Sequence, residues 1–283
     1  MKLLHLLGGI FALALGMSHA VSAQWLNYPT PGTPRTRDGK PDLAAKAPRA
    51  NGKPDLSGVW HVQSESLEEK RRLFGPNVGV ISVPGMEPDT TSKYGANILL
   101  DFKPGEVVMT PEGEAIYNRR QQGKELLPST HCLPLGIPLA TMLSEVQKIV
   151  QTPGLIVILH EIDGLFRQIY TDGRKLPVDP SPSWLGYSVG RWEKDTLVVD
   201  TIGFNDKTWL DARGHPHSEA MRITERYWRR DFGHLDVEIT IDDPRTYNRP
   251  FSIKVTHLLQ ADSDILEYVC NENEKDRAHM VVR

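Results

Sequence analysis

Cysteine is scarce in this chain of 283 residues: Cys132 and Cys270 are the only two, and neither stands in a CxxC pair or a recognisable nucleophile motif. A cysteine-rich scaffold and a zinc-knuckle site are thereby excluded. Excess positive charge is missing too, since 33 Lys and Arg face 36 Asp and Glu for a formal charge of −3. The basic footprint of a nucleic-acid binder is absent, and nucleic acid is not an expected partner. No apolar run reaches the roughly 20 residues of a membrane-spanning helix, so no span is expected in the mature chain. A Gly-rich phosphate loop, GxSxG, SxxK and an HExxH helix are also lacking, which removes support for nucleotide-dependent, common serine-hydrolase and zincin chemistry.

What is present suits a folded protein. Hydrophobic residues make up 39% of the chain, enough to bury a core. The 23 Gly and 21 Pro lie between short apolar runs, a texture of many turns rather than long helices. Lys2, the apolar stretch Leu6 to Gly16 and the small-x-small Val21-Ser22-Ala23 read as a signal peptide over 1–23. The protein is therefore expected to be exported, periplasmic or secreted. An oxidising compartment favours a single disulfide between Cys132 and Cys270.

Residues 24–55 carry Pro29, Pro31, Pro34, Pro41 and Pro48 and echo Asp38-Gly39-Lys40-Pro41-Asp42-Leu43 in Asn51-Gly52-Lys53-Pro54-Asp55-Leu56. They read as an extended arm that packs weakly, or alternatively as a peptide wrapping the domain surface. A single barrel-like domain is expected over 56–283. Ser66 to Phe74 and Pro111 to Leu127 read as helices, the second an insertion with Thr110 as N-cap, Pro111 in the first turn and Glu112 and Glu114 complementing the dipole.

From residue 147 the rhythm changes to apolar-rich runs broken by turns of a few residues. Nine strands are expected: Lys148 to Thr152, Leu155 to Ile162, Phe166 to Thr171, Tyr187 to Glu193, Thr196 to Ile202, Arg222 to Arg230, Leu235 to Asp242, Phe251 to Leu259 and Ile265 to Asn271. Tight connections such as Pro153-Gly154 and Lys194-Asp195 make neighbours antiparallel, and Tyr170 to Lys175 reads as a hairpin turn. Leu56 to Trp60 supplies a first strand. Closing the meander, fully or in half, removes its exposed edges. The fold class expected is mainly β, with a few short helices in the N-terminal half.

Gly58-Val59-Trp60 after the arm is similar to the GxW strand that opens lipocalin-like (calycin) barrels, and this resemblance implies a barrel with a central hollow. The helical stretch at 111–127 departs from calycin strand spacing. Most of the chain also resembles a group of secreted bacterial proteins of unknown function, through Gly52-Lys53-Pro54-Asp55-Leu56-Ser57-Gly58-Val59-Trp60 and through Val189-Gly190-Arg191-Trp192 running into Asp195 to Asp206. That resemblance implies no activity.

Chemistry is expected where polar groups interrupt the strands. The longest irregular segment inside the sheet region, Gly203 to Ala220, holds Asn205, Asp206, Trp209, Asp211, Arg213, His215, His217 and Glu219; so long a connection in a compact domain is usually functional or mobile. In an extended conformation His215, His217 and Glu219 share a side and can hold a divalent metal. His217 titrates near neutrality, and Asp206 or Asp211 can orient it as a cofactor-free acid–base catalyst with Trp209 as an apolar wall. Arg191 and Trp192 fall on opposite faces of one strand, and His160 either points into a wet cavity or sits on the exposed face. Glu225 reads as a cross-strand partner within a charged strand face formed by Arg222, Arg226, Arg229 and Arg230. Two functions follow: a barrel that binds a small, partly apolar molecule, with Trp60, Trp184, Trp192 and Trp209 as lining and Asn205, Arg191 and His160 as polar contacts, or a hydrolase, isomerase or lyase built on His217. No cofactor is required by either reading; a metal-dependent enzyme with His215, His217 and Glu219 as ligands of a divalent metal is a further alternative, and a structural envelope role another.

Overall fold

The computed structural model describes residues 28–75 and 92–272; the expected signal peptide, 1–23, lies outside them. A two-residue hairpin, β1 (Arg49–Ala50) and β2 (Lys53–Pro54), ends the arm. Strand β3 (Gly58–Val62) follows, then the helices α1 (Leu67–Phe74), α2 (Lys93–Ala96) and α3 (Pro111–Gln121). Eight more strands complete the fold: β4 (Gln147–Thr152), β5 (Leu155–His160), β6 (Phe166–Tyr170), β7 (Tyr187–Glu193), β8 (Thr196–Ile202), β9 (Arg222–Arg229), β10 (His234–Asp242) and β11 (Phe251–Leu259). Strands β3 to β11 form a closed barrel of nine in chain order, with β11 returning to pair with β3 through Leu259 opposite Trp60. Closure leaves no long unpaired edge.

Two expectations are corrected. Strand β6 pairs with β7 in parallel, through Ile169 with Ser188 and Tyr170 with Val189. The 171–186 connection is long enough for the chain to cross over, so Tyr170 to Lys175 is not a hairpin turn; there Arg174 binds Asp172 at 2.6 Å and lies 3.7 Å from the Tyr170 ring centroid. Ile265 to Asn271 is not a strand. The edge it would have joined is taken by β3, and the tail runs outside the barrel, held by the Lys148–Asp264 ion pair and the Cys132–Cys270 disulfide.

Alternation sorts each strand. Ile223, Tyr227, Ile239, Ile253 and Ile149 are buried in one continuous core with Trp60, so Trp60 fills the interior rather than lining a hollow. His160 is settled as inward, buried beside Ile156 and Ile158. Gly58 explains why the strand opens on glycine: its φ is +148°, and a Cβ there would meet Leu259 Cδ1 at 2.5 Å. The arm is tied to the barrel. Arg35 and Thr30 bind Asp262, Phe232 and Gly233 donate to the Ala45 and Leu43 carbonyls, and Arg49 pairs with Asp195. Arg229 completes the attachment by donating to the carbonyls of Asp55, Ser57, Asp231 and Phe232 while its guanidinium lies 4.8 Å from the Trp60 ring centroid.

Candidate functional site

The 203–220 connection is built rather than loose. Asp211 is fully buried and its carboxylate accepts from the backbone of Ile98 (2.7 Å), Arg213 (3.0 Å) and His215 (3.1 Å). It also receives His215 Nδ1 at 2.5 Å, and the His215 ring stacks on Tyr117 of α3 at 4.5 Å. Further along, Asp243 accepts from the Ser218 amide and hydroxyl at 2.6 and 2.8 Å, and the Tyr247 hydroxyl donates to the Pro216 carbonyl. Backbone that has no ladder is thus satisfied by buried side chains.

The connection and α3 with the segment after it enclose a cleft of about 560 Å³. Trp209 and Trp184 supply its large apolar surfaces; Arg120, Lys207, Asp206 and His217 supply polar ones. Helix α3 places Arg120 because Gly113, Ile116, Tyr117 and Arg120 recur at three- and four-residue spacing and turn the same side inward. The Arg120 guanidinium lies 5.0 Å from the Trp209 ring centroid and binds Glu125 and the Gly214 carbonyl. Burial lowers its pKa, with Glu125 opposing the shift. Lys207 lies 5.9 Å over Trp184.

His217 is shielded. Its Nδ1 meets the Ser218 carbonyl at 3.3 Å, which makes that nitrogen the donor and leaves Nε2 to accept from the Thr208 hydroxyl at 2.6 Å. Burial pushes its pKa down to about 4, with the Ser218 carbonyl and Asp243 opposing the shift. The ring is neutral near pH 7.

The expected catalytic set does not assemble. His217 makes no hydrogen bond to Asp206, Asp211 or Glu219; the carboxylate expected to orient it, Asp211, belongs to His215. Thr208, the hydroxyl that His217 does hold, is 1% exposed and has no access to a substrate. The metal set is not gathered either. His215 and His217 use ring nitrogens within the loop, Glu219 is exposed, and among the described residues no three His, Cys, Asp or Glu side chains are arranged to hold a metal ion. Asn205 closes a turn by accepting from the Lys207 amide at 3.1 Å. Arg191 points away from the interior and pairs with Asp200 and Glu193, while Trp192 packs against the core. Neither lines the cleft, whereas Trp209, Asp206, His217 and Glu219 do.

Sequence reasoning missed Arg120; its spacing from Gly113 and Ile116 is the available signal. A second concavity of about 580 Å³ lies between the arm and the barrel, with Val59, Phe232, Leu259 and Ala261 among its lining residues. Comparison with known protein families, with curated proteins and with solved structures gives no match. Among the described residues no helix is long and apolar enough to cross a membrane.

Proposed function

We propose that this is an exported, calycin-like binding protein, and that the cleft between α3 and the 203–220 connection takes a small, partly apolar molecule. The observation that carries this reading is the meeting of two tryptophans with a buried arginine, a lysine and a neutral histidine in a concavity of about 560 Å³, a size and mixture suited to a small ligand. Trp209 and Trp184 provide flat apolar contact, and Lys207, Arg120 and Asp206 orient the ligand's polar groups. The cleft is assembled by hydrogen bonds within the protein, so little ordering cost remains for binding.

Two measurements test it. A mass spectrum of small molecules released from protein purified from its native host identifies the ligand. Titration with that molecule then compares the wild type with Trp209→Ala, expected to weaken binding by about 2 kcal/mol, or roughly 30-fold. Ala261→Trp, in the other concavity, is expected to leave affinity unchanged. Loss of binding in Ala261→Trp together with unaltered affinity in Trp209→Ala would move the site to the arm and sink this assignment, as would a preparation that releases no molecule.

A further inference from the structure

The interior of the barrel contains polar atoms that nothing in the protein satisfies. Gln147 Oε1, one ring nitrogen of His160 and His257 Nδ1 are buried without a hydrogen-bond partner, the other His160 nitrogen being turned to the Ala140 carbonyl. Gln147, His160 and His257 are 3%, 2% and 2% exposed. They lie in one region: His160 stands directly opposite Gln147 across β4 and β5, a pairing that brings side-chain roots within about 5.5 Å, and His160 and His257 are close enough that the charge of one opposes protonation of the other. The turn Leu139–Thr141 lies over them, with Ala140 beside His160 and the Thr141 carbonyl 2.9 Å from His257 Nε2.

We propose that this region is a binding site for a small uncharged molecule carrying two hydrogen-bond donors, met by water or by a compact solute such as a primary amide. The donor arithmetic specifies the guest. Because a carbonyl can only accept, His257 Nε2 donates to Thr141 and Nδ1 is left as a bare acceptor. Gln147 Oε1 is a second acceptor. Neutral His160 gives its N–H to the Ala140 carbonyl, so its other nitrogen is a third acceptor. A guest with two donors, given to His257 and Gln147 or to either of them and His160, satisfies two of the three orphaned acceptors at once. A buried polar group left unpaired keeps its full desolvation penalty, which is the driving force for occupancy.

Charge excludes the alternatives. Arg167 lies near enough to oppose protonation of His160, so a cation would meet the guanidinium side of the Arg167–Glu225 pair. Arg167 is already paired with Glu225, both nearly fully buried, so an anion would enter without a free countercharge and bear the desolvation cost of a buried charge.

A crystal structure of the full chain at about 1.2 Å resolution tests the site. The expected result is a density peak between Gln147 and His257 in the wild type, lost in Gln147→Met, which keeps the side chain's length, and in His160→Phe. A single-atom peak identifies water; a polyatomic peak, with a matching species in the mass spectrum of denatured protein, identifies a solute. The proposal is overturned if Gln147 Oε1, His257 Nδ1 and the remaining His160 nitrogen bond one another or other protein groups with nothing between them. It is equally overturned if the peak scatters anomalously as a metal, or if it persists unchanged in both variants. The region is separate from the cleft beneath α3, so failure here leaves the proposed ligand site untouched.

Discussion

At the centre of the barrel Arg167 and Glu225 form an ion pair that is 1% and 2% exposed at the side-chain level. Arg167 Nε donates to Ser188 at 3.0 Å and Nη2 to Thr201 at 2.8 Å, while the Tyr227 hydroxyl donates to Glu225 at 2.7 Å. The mutual field raises the Arg167 pKa despite the opposing effect of burial. Removing one partner strands the other charge, so Arg167→Met or Glu225→Gln is expected to lower stability by about 3–5 kcal/mol. The double variant Arg167→Met with Glu225→Gln is expected to recover part of that loss, because neither charge is left. Urea denaturation of the four proteins in a double-mutant cycle reads both results; a single-variant cost below about 1 kcal/mol would mean that water reaches the pair. Strand parity places Glu225 with Ile223 and Tyr227 on the buried side, so its burial was legible in the sequence, although it read as part of a charged face. Its pairing with Arg167 was not legible, because β6 and β9 meet only across the closed barrel. The same limit explains Asp211: the sequence puts it near both His215 and His217, and the stacking of His215 on Tyr117, from a distant helix, decides between them.

At the scale of elements, α3 begins as expected, with Thr110 accepting from the Gly113 amide at 3.2 Å and donating to the Arg245 carbonyl at 2.7 Å. It ends at Gln121 rather than continuing to Leu127. Gly123, with φ +67°, reverses the chain, and Glu125 returns to bind Arg119 and Arg120. The glycine was a visible stop signal; the return of Glu125 depends on where the helix packs. Gly113 makes the consequence measurable. In an exposed helix Gly→Ala stabilises by about 1 kcal/mol, but here a Cβ would sit 2.6 Å from the Thr246 backbone carbonyl. Gly113→Ala is therefore expected to destabilise by about 1–3 kcal/mol, as overpacking does, and to loosen the cleft wall that carries Arg120. Thermal melting together with ligand titration checks this, and a raised melting temperature would show that α3 does not press against the 243–247 turn. Eight of the nine expected later strands were legible from alternation and turn residues. The parallel β6–β7 seam was not, because 171–186 has no periodic signal that reports a crossover.

Across the whole molecule the buried histidines couple folding to pH. Burial is the largest cause of depression at each of three sites, taking His160 down to about 3 and His217 and His257 down to about 4. His160 faces Arg167 and His257; His217 faces Asp243, Arg120 and Asp206; His257 faces His61, Asp236 and Glu225. In the unfolded chain each ring takes up a proton near pH 6.5, whereas the folded chain resists until about pH 4 or lower. Between those limits the unfolded state binds more protons, so stability is complete above about pH 6.5 and falls as the pH drops. Each group contributes about 1.4 kcal/mol per pH unit, and three together about 4 kcal/mol per unit, against a total stability on the order of 5–15 kcal/mol for a typical domain. The barrel is thus expected to unfold on acidification between about pH 5 and 4. Replacing His217 with Gln, which keeps hydrogen-bonding capacity without a titrating ring, should reduce the slope of unfolding free energy against pH by about one third between pH 6 and 5. The measurement is urea denaturation at several pH values in that window. An unchanged slope would place His217 in contact with solvent when folded, contradicting the shielding that gives the cleft its neutral histidine.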